Sequence, residues 1–283
     1  MPSASVIVRF RNHASTLPLV LDALKRQSLA HELIGVDSGS TDGSTALLDK
    51  QTARIVSVPP RHFSYGRALN DGAAAASGEY LVFLSAHSVP DGADALEALV
   101  APLSRPSVVG SYGRQRPFPD MNPFEARILR EYYGPLPRVQ SDDPRFSNAW
   151  SAVRRDVWVR HRFNEVVPGA EDQHWAHEVQ RHGFAVAYVP EAQVIYHQQF
   201  GIRDFYDRAL RLGFAAQALR RGPLPRLHQS LFSAGQMVLQ DVRAWREDQL
   251  ALRWLLRSPS FRLRQSLGLR RGARMASRVL DWR

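Results

Sequence analysis

Short apolar runs alternate with amphipathic stretches through the first hundred residues. Ser5–Phe10 (SVIVRF) is a strand expected to be buried on both faces, and Leu17–Gln27 puts Leu17, Val20, Leu21 and Leu24 on one helical face. Leu33–Val36 and Arg54–Val58 follow as strands, with a helix from near Ser44 between them and a small-residue helix, Asn70–Ala76, after them. Tyr80–Leu84 (YLVFL) is a continuous apolar run and the central strand of the pattern. It enters Ser85-Ala86-His87-Ser88, and Pro90 is expected to stop further pairing. Leu96–Leu103 reads as a helix and Val108–Tyr112 as a strand. This order predicts the α/β class, with a mostly parallel sheet and helices on both faces. In such sheets ligands bind at the carboxyl ends of the strands, which is where His87 is delivered.

The period weakens at 114–147, a stretch rich in Pro, Arg and aromatics that reads as one long functional loop. Ala149–Val153, Ala185–Val189 and Gln193–Tyr196 are short strands, and Glu171–Arg181 is a helix. Residues 203–221 and 228–257 are helical, and 261–283 keeps helical spacing that Gly268 and Gly272 break. The expected division is a domain over 1–200 and a helical, Arg-rich extension over 201–283.

Charge sharpens that division. The net charge is +10, yet residues 1–200 hold 20 Lys+Arg against 21 acids, while 201–283 hold 17 Arg against 6 acids. The extension is therefore expected to meet an anionic membrane surface. Nucleic acid is the poorer fit, because the tail mixes Arg with Leu and Trp and has no DNA-reading motif. Cysteine is absent, which excludes disulfides, thiolate zinc sites and thiol nucleophiles and suits a cytoplasmic protein. Met1–Phe10 has no charged n-region or long apolar core, so no secretory signal is expected. Neither GxGxxG nor a Walker sequence occurs, which removes the main support for NAD-type and P-loop readings.

Several residues at predicted strand ends and helix starts could carry chemistry. Asp37 closes the second strand and opens a Gly/Ser/Thr loop, where a carboxylate can accept a base or ribose hydrogen bond or simply shape a turn. Arg67 has a planar fork suited to diphosphate, or is a solvated Arg beside a Tyr. His87 and His197 end two different strands, and two neutral imidazoles could share a divalent cation; a hydrogen-bonded core histidine is the plainer alternative. Glu171 and Asp172 start a helix, where one can cap and the other act as a general base. Trp175 is either a sugar-stacking platform or a buried core residue.

Taken in order, SVIVRFRN, VDSGSTDGS, HFSYGRALNDGAAAASGEYLVFLSAHSVP, YGRQ, FSNAWSAVRRDVW, FNEVVPGAEDQHWA and YVPEAQVIYH resemble family 2 glycosyltransferases with the GT-A fold, over roughly residues 5–200. Within the family the similarity is to bacterial rhamnosyltransferase-like enzymes of surface-polysaccharide biosynthesis.

The resemblance implies that Arg9 and Asp37 bind the nucleotide and that Arg67 and Asn70 line its pocket. Ser85-Ala86-His87 stands in place of the Asp-x-Asp motif. His87 and His197 would then hold a divalent metal, Mg or Mn, with Glu171 and Trp175 near the acceptor or sugar. Asp172 would deprotonate the acceptor hydroxyl in an inverting transfer from a UDP- or dTDP-sugar to a glycan, lipid-linked at the inner face of the cytoplasmic membrane. Two other readings stay open from the residues: a sugar nucleotidyltransferase, and a non-catalytic membrane or nucleic-acid binding module.

Overall fold

The computed structural model describes residues 4–51, 54–198, 202–220, 224, 226–248 and 252–280. The expected helical positions at 221, 249–251 and 281–283 lie outside the described residues. The chain divides into two compact units: 1–119, 129–167 and 171–198 form the first, and 120–128, 168–170 and 199–283 the second.

The first unit is built on a nine-stranded sheet. Strands β1 (Ala4–Phe10), β2 (His31–Asp37), β3 (Arg54–Ser57) and β4 (Tyr80–Ser85) are parallel, in the order β3-β2-β1-β4. Helices α1 (Leu17–Lys25), α2 (Ser44–Asp49) and α3 (Tyr65–Ala75) provide the crossovers that parallel pairing requires. Val6, Ile7, Val8, Leu81, Val82 and Phe83 are fully buried, as strands covered on both faces must be. α3 starts five residues before the Asn70 expected from composition, because the Ser64 hydroxyl caps it by accepting from the Arg67 N–H at 3.1 Å.

Beyond β4 the sheet is mixed. β8 (Trp150–Arg154) pairs antiparallel with β4 and with β6 (Val108–Pro117), and β9 (Ala185–Tyr196) is parallel to β6. Three expectations are corrected here. Pro90 does not end pairing: β5 (Ser88–Asp91) runs antiparallel to β9 as an edge strand, where the missing N–H of proline is tolerated. The stretch 114–147 is not one loop. It holds the end of β6, helix α5 (Pro123–Tyr132) and strand β7 (Arg138–Gln140), which pairs with β9. The two short strands at 185–196 are one, with an irregular register against β6 between Gly113 and Arg114. Helix α4 (Ala95–Val100) covers the sheet. Helices α6 (Arg155–Arg160) and α7 (Glu171–Arg181) flank β8 and β9 in the chain.

The second unit contains α8 (Ile202–Arg220), α9 (Leu227–Asp248) and α10 (Leu252–Leu280). Gly268 and Gly272, expected to break the tail, lie inside α10, as does Pro259. A Cβ on Gly272 would collide with the Leu210 carbonyl oxygen, and one on Gly268 would press on the Tyr206 carbonyl oxygen and Ala209. Gly213 of α8 is hemmed in equally by the Leu269 backbone. These glycines therefore serve close approach of two helix backbones, and the packing gained overrides their poor helix propensity. Phe124 and Phe261 are buried together, with Trp254 against them. Among the described residues no helix is long and apolar enough to cross a membrane.

Candidate active site

Parallel register brings the carboxyl ends of the first strands into one row. Phe10 lies opposite Asp37, Asp37 opposite Ser57, and Arg9 opposite Ser85. The two loops that leave β1 and β2 are then tied to each other. The Thr41 N–H donates to Asn12 Oδ1 at 2.8 Å, the Asn12 N–H to Ser40 Oγ at 3.0 Å, and the Ala14 N–H to Asp42 Oδ2 at 2.8 Å. Asn12 holds φ 57°, a left-handed conformation that asparagine tolerates better than most residues. Asp37 is nearly buried; its Oδ1 accepts from the Ser40 N–H at 2.9 Å and its Oδ2 from the Thr45 hydroxyl at 3.4 Å. That geometry fixes the carboxylate at the sheet edge.

Arg9 is the hub of the site. Its guanidinium donates to Ser85 Oγ at 3.3 Å, lies 4.7 Å over the Tyr65 ring, and comes within 3.9 Å of Glu171 Oε1. A cation on β1 thus links the polar end of β4 to the first turn of α7. Glu171 is 5% exposed and Asp172 half-buried. Asp172 accepts from the Asn148 N–H at 3.3 Å and the Gln173 N–H at 2.8 Å. Burial, and then the Glu171 charge beside it, raise its carboxyl to about 7. The Asp172 carboxyl is thereby poised to exchange a proton near neutrality. Ala170, just before them, has φ 57°, a conformation that a residue with a Cβ rarely adopts.

His87 and His197 are neighbours through the backbone, the His197 N–H donating to the His87 carbonyl at 2.6 Å where β5 and β9 part. The His87 ring sits 4.8 Å from the Tyr196 ring and 5.6 Å from that of His13, and the His197 ring stacks on Phe118 at 5.4 Å. Burial lowers the pKa of both His13 and His197, which favours neutral imidazoles.

Arg67 and Asn70 are both hydrogen-bonded to the 163–165 segment. Asn70 is buried with both polar ends engaged. Its Nδ2 donates to the Phe163 carbonyl at 2.9 Å and to Glu165 Oε1 at 3.0 Å, while its Oδ1 accepts from Trp158 Nε1 and the Phe163 N–H, each at 3.1 Å. Arg67, half-exposed, pairs with Glu165 at 3.3 Å. Trp175, expected as either platform or core, is core: it is 1% exposed, packs against Phe146 and Phe163, and donates Nε1–H to the His161 carbonyl at 2.8 Å. Trp150 is likewise fully buried, against Gly113. Sequence reasoning missed Tyr65 as the ring under Arg9 and the Asn148 N–H as a partner of Asp172. The only signal for either was its presence in the stretches HFSYGR and FSNAW.

A sheet edge of this construction, with parallel strands whose carboxyl-end loops are braced to each other and an antiparallel strand beside them, is that of the GT-A fold. The same fold appears in a mannosyltransferase from Pyrobaculum calidifontis, solved in complex with GDP-Man and Mn2+ (TM-score 0.65, 20% identity, 94% of this chain and 86% of that one). It appears also in glucosyl-3-phosphoglycerate synthase from Mycobacterium tuberculosis (TM-score 0.58, 21% identity, 78% and 81%). The family itself follows from the sequence: residues 5–163 match the family model of Glycosyl transferase family 2, and the chain belongs to that family and is a glycosyltransferase. It is 29% identical to the O-antigen chain rhamnosyltransferase RfbN of Salmonella typhimurium over 74% of this chain and 71% of the relative. To the O-antigen chain rhamnosyltransferase WbaN of Salmonella anatum it is 27% identical, over 67% of this chain and 64% of that protein.

Proposed function

We propose that this glycosyltransferase moves a deoxyhexose of the rhamnose type from a UDP- or dTDP-sugar to a hydroxyl of a lipid-linked glycan, with inversion, in surface-polysaccharide biosynthesis. The names of the two O-antigen relatives support the sugar and the pathway class. The observation that carries the mechanism is the raised carboxyl of Asp172 in its desolvated first turn. A base with a pKa near the working pH combines a useful ionised fraction with driving force for taking the acceptor proton. The backbone N–H groups of Asn148 and Gln173 orient its oxygens. Arg9, fixed by Ser85 and Tyr65, faces the edge where the diphosphate charge develops on departure. Asp37 accepts from the nucleoside, and Arg67 and Glu171 bound the pocket. Asn70 acts on this pocket by clamping the 163–165 segment beside Arg67.

The side chains at the edge suit a divalent cation such as Mn or Mg only as part of its shell: two imidazoles, His87 and His197, with no carboxylate in the Asp-x-Asp position. These two would hold the ion together with donor oxygens, and the ion would supply charge neutralisation on the leaving diphosphate. The Arg-rich extension, with Leu231, Phe232, Leu239 and Leu256 exposed among its arginines, would rest on an anionic leaflet at the inner face of the cytoplasmic membrane.

Asp172→Asn should lower kcat by about 10²–10⁴-fold. Donor affinity, measured by titration with the nucleotide sugar, should be kept. In the wild type kcat should rise with pH through about 7 and then level, because the base works ionised. Wild-type turnover in the variant would remove Asp172 as the base. Cutting the chain after Gly222 should release it from anionic vesicles; unchanged cosedimentation would refute the membrane reading.

A further inference from the structure

Away from the sheet edge, His161, Glu178 and His182 present ligand atoms that all lie within 4.8 Å of one another. His161 directly follows α6, while Glu178 lies in the last turn of α7 and His182, four residues on, just past its end. His161 Nδ1 is 4.0 Å and His182 Nδ1 3.6 Å from Glu178 Oε1, and the two imidazole centroids are 4.6 Å apart. His182 Nδ1 also lies 2.9 Å from the Glu178 carbonyl oxygen. A carbonyl only accepts, so Nδ1 carries the proton and the lone pair of His182 is directed to Nε2. A second hydrogen bond of this kind is what usually orients a metal-bound histidine.

We propose that His161, Glu178 and His182 form a binding site for a zinc-class divalent transition metal, separate from any cation that accompanies the donor. Two imidazoles and one carboxylate are a common three-ligand set for zinc. Bonds of about 2.1 Å in a tetrahedral shell put ligand atoms roughly 3.4 Å apart, so a rotation of the His182 ring that brings Nε2, rather than the proton-bearing Nδ1, toward Glu178 would close the three side chains onto one ion. His182 and Glu178 are half-exposed (51% and 41%) and His161 is 15% exposed, which leaves the fourth position to water and an open entry path. Hard cations would be poorly served, since Mg prefers oxygen ligands and keeps its waters.

The site would brace the helix that carries the acid pair. The carbonyl of His161 already holds Trp175 of α7 through its indole N–H at 2.8 Å. A metal joining the His161 ring to Glu178 and His182 would add a second tie between α6 and α7, one turn further along. Asp172 lies six residues before Glu178, about 9 Å along the helix axis, so the ion would touch neither base nor donor.

The test uses the full chain stripped with chelator and titrated with Zn²⁺ without nucleotide sugar, followed by Co²⁺ to read the visible band of a tetrahedral site. The wild type and His87→Ala should each bind one equivalent at this site and gain thermal stability with Zn²⁺. His182→Ala and Glu178→Gln, both at half-exposed positions, should unfold like the wild type in chelator. Both should lose the zinc-dependent gain and bind at least about tenfold more weakly, and the cobalt band should vanish. Equal zinc affinity in the wild type and His182→Ala would overturn the proposal, as would loss of the signal in His87→Ala instead, or no zinc binding by the wild type at micromolar concentration.

Discussion

Two acids, one in each unit, show how differently the fold can treat the same carboxylate. Asp241, between the helices of the second unit, is 5% exposed and surrounded by donors. Arg262 reaches it with Nε at 2.8 Å and Nη2 at 2.6 Å, Ser258 donates at 2.6 Å, and Arg127 Nη1 stands at 3.5 Å. The fork-on-carboxylate geometry returns much of what desolvation costs. Asp172 in the first unit receives, among the described residues, two backbone N–H groups and has another acid as its chain neighbour, and its carboxyl rises to about 7. One carboxylate is neutralised and structural. The other is left under-compensated, which is the state a proton acceptor needs.

Removing the compensation should make the first case resemble the second at a cost in stability. Arg262→Ala leaves Asp241 buried without its main partner and should destabilise the protein by about 3–5 kcal/mol, read by chemical denaturation. Replacing Arg262 and Asp241 together by Met and Leu should recover most of that loss, and failure to recover would mean that the pair does more than satisfy itself.

Two glycines of the second unit offer a test through shape instead of charge. Gly272→Ala sets a methyl against the Leu210 carbonyl and should cost about 1–3 kcal/mol, whereas Gly235→Ala in α9, with open space around it, should be neutral or slightly stabilising. Equal effects would sink the close-approach account.

The smallest effect is the most diagnostic for Asp172. Its folded pKa lies above the unfolded value near 3.9, so below pH 4 the group leaves stability untouched. As pH rises from 4 to 7 the unfolded chain ionises first, and stability falls. Asp172→Asn should remove that decline and be more stable than the wild type at pH 8, by on the order of 1–2 kcal/mol. Identical pH profiles would mean that the acid is not held out of water.

The apolar runs were enough to read β1, β2 and β4, because strands in the middle of a covered sheet leave continuous hydrophobic signatures. It was not enough for β5, where an edge strand tolerates Pro90, nor for 114–147, where α5 and β7 lack a run long enough to show. The site divided the same way. Acids and histidines at strand ends could be singled out one by one, but that Arg9 stands between Ser85 and Glu171 depends on pairing across 76 residues in one direction and a helix start far along the chain in the other.

Composition and order along the chain alone determined an α/β domain of the family 2 pattern, a neutral body and a basic tail, since these depend on local burial pattern and on counting charge. Tertiary structure decided the surroundings of the candidate residues: Asn70 is bonded to the 163–165 segment, Trp175 is enclosed as core, and Asp172 is desolvated beside Glu171. Hydrogen-bond satisfaction and dielectric surroundings are set by neighbours distant in sequence, so no local pattern encodes them.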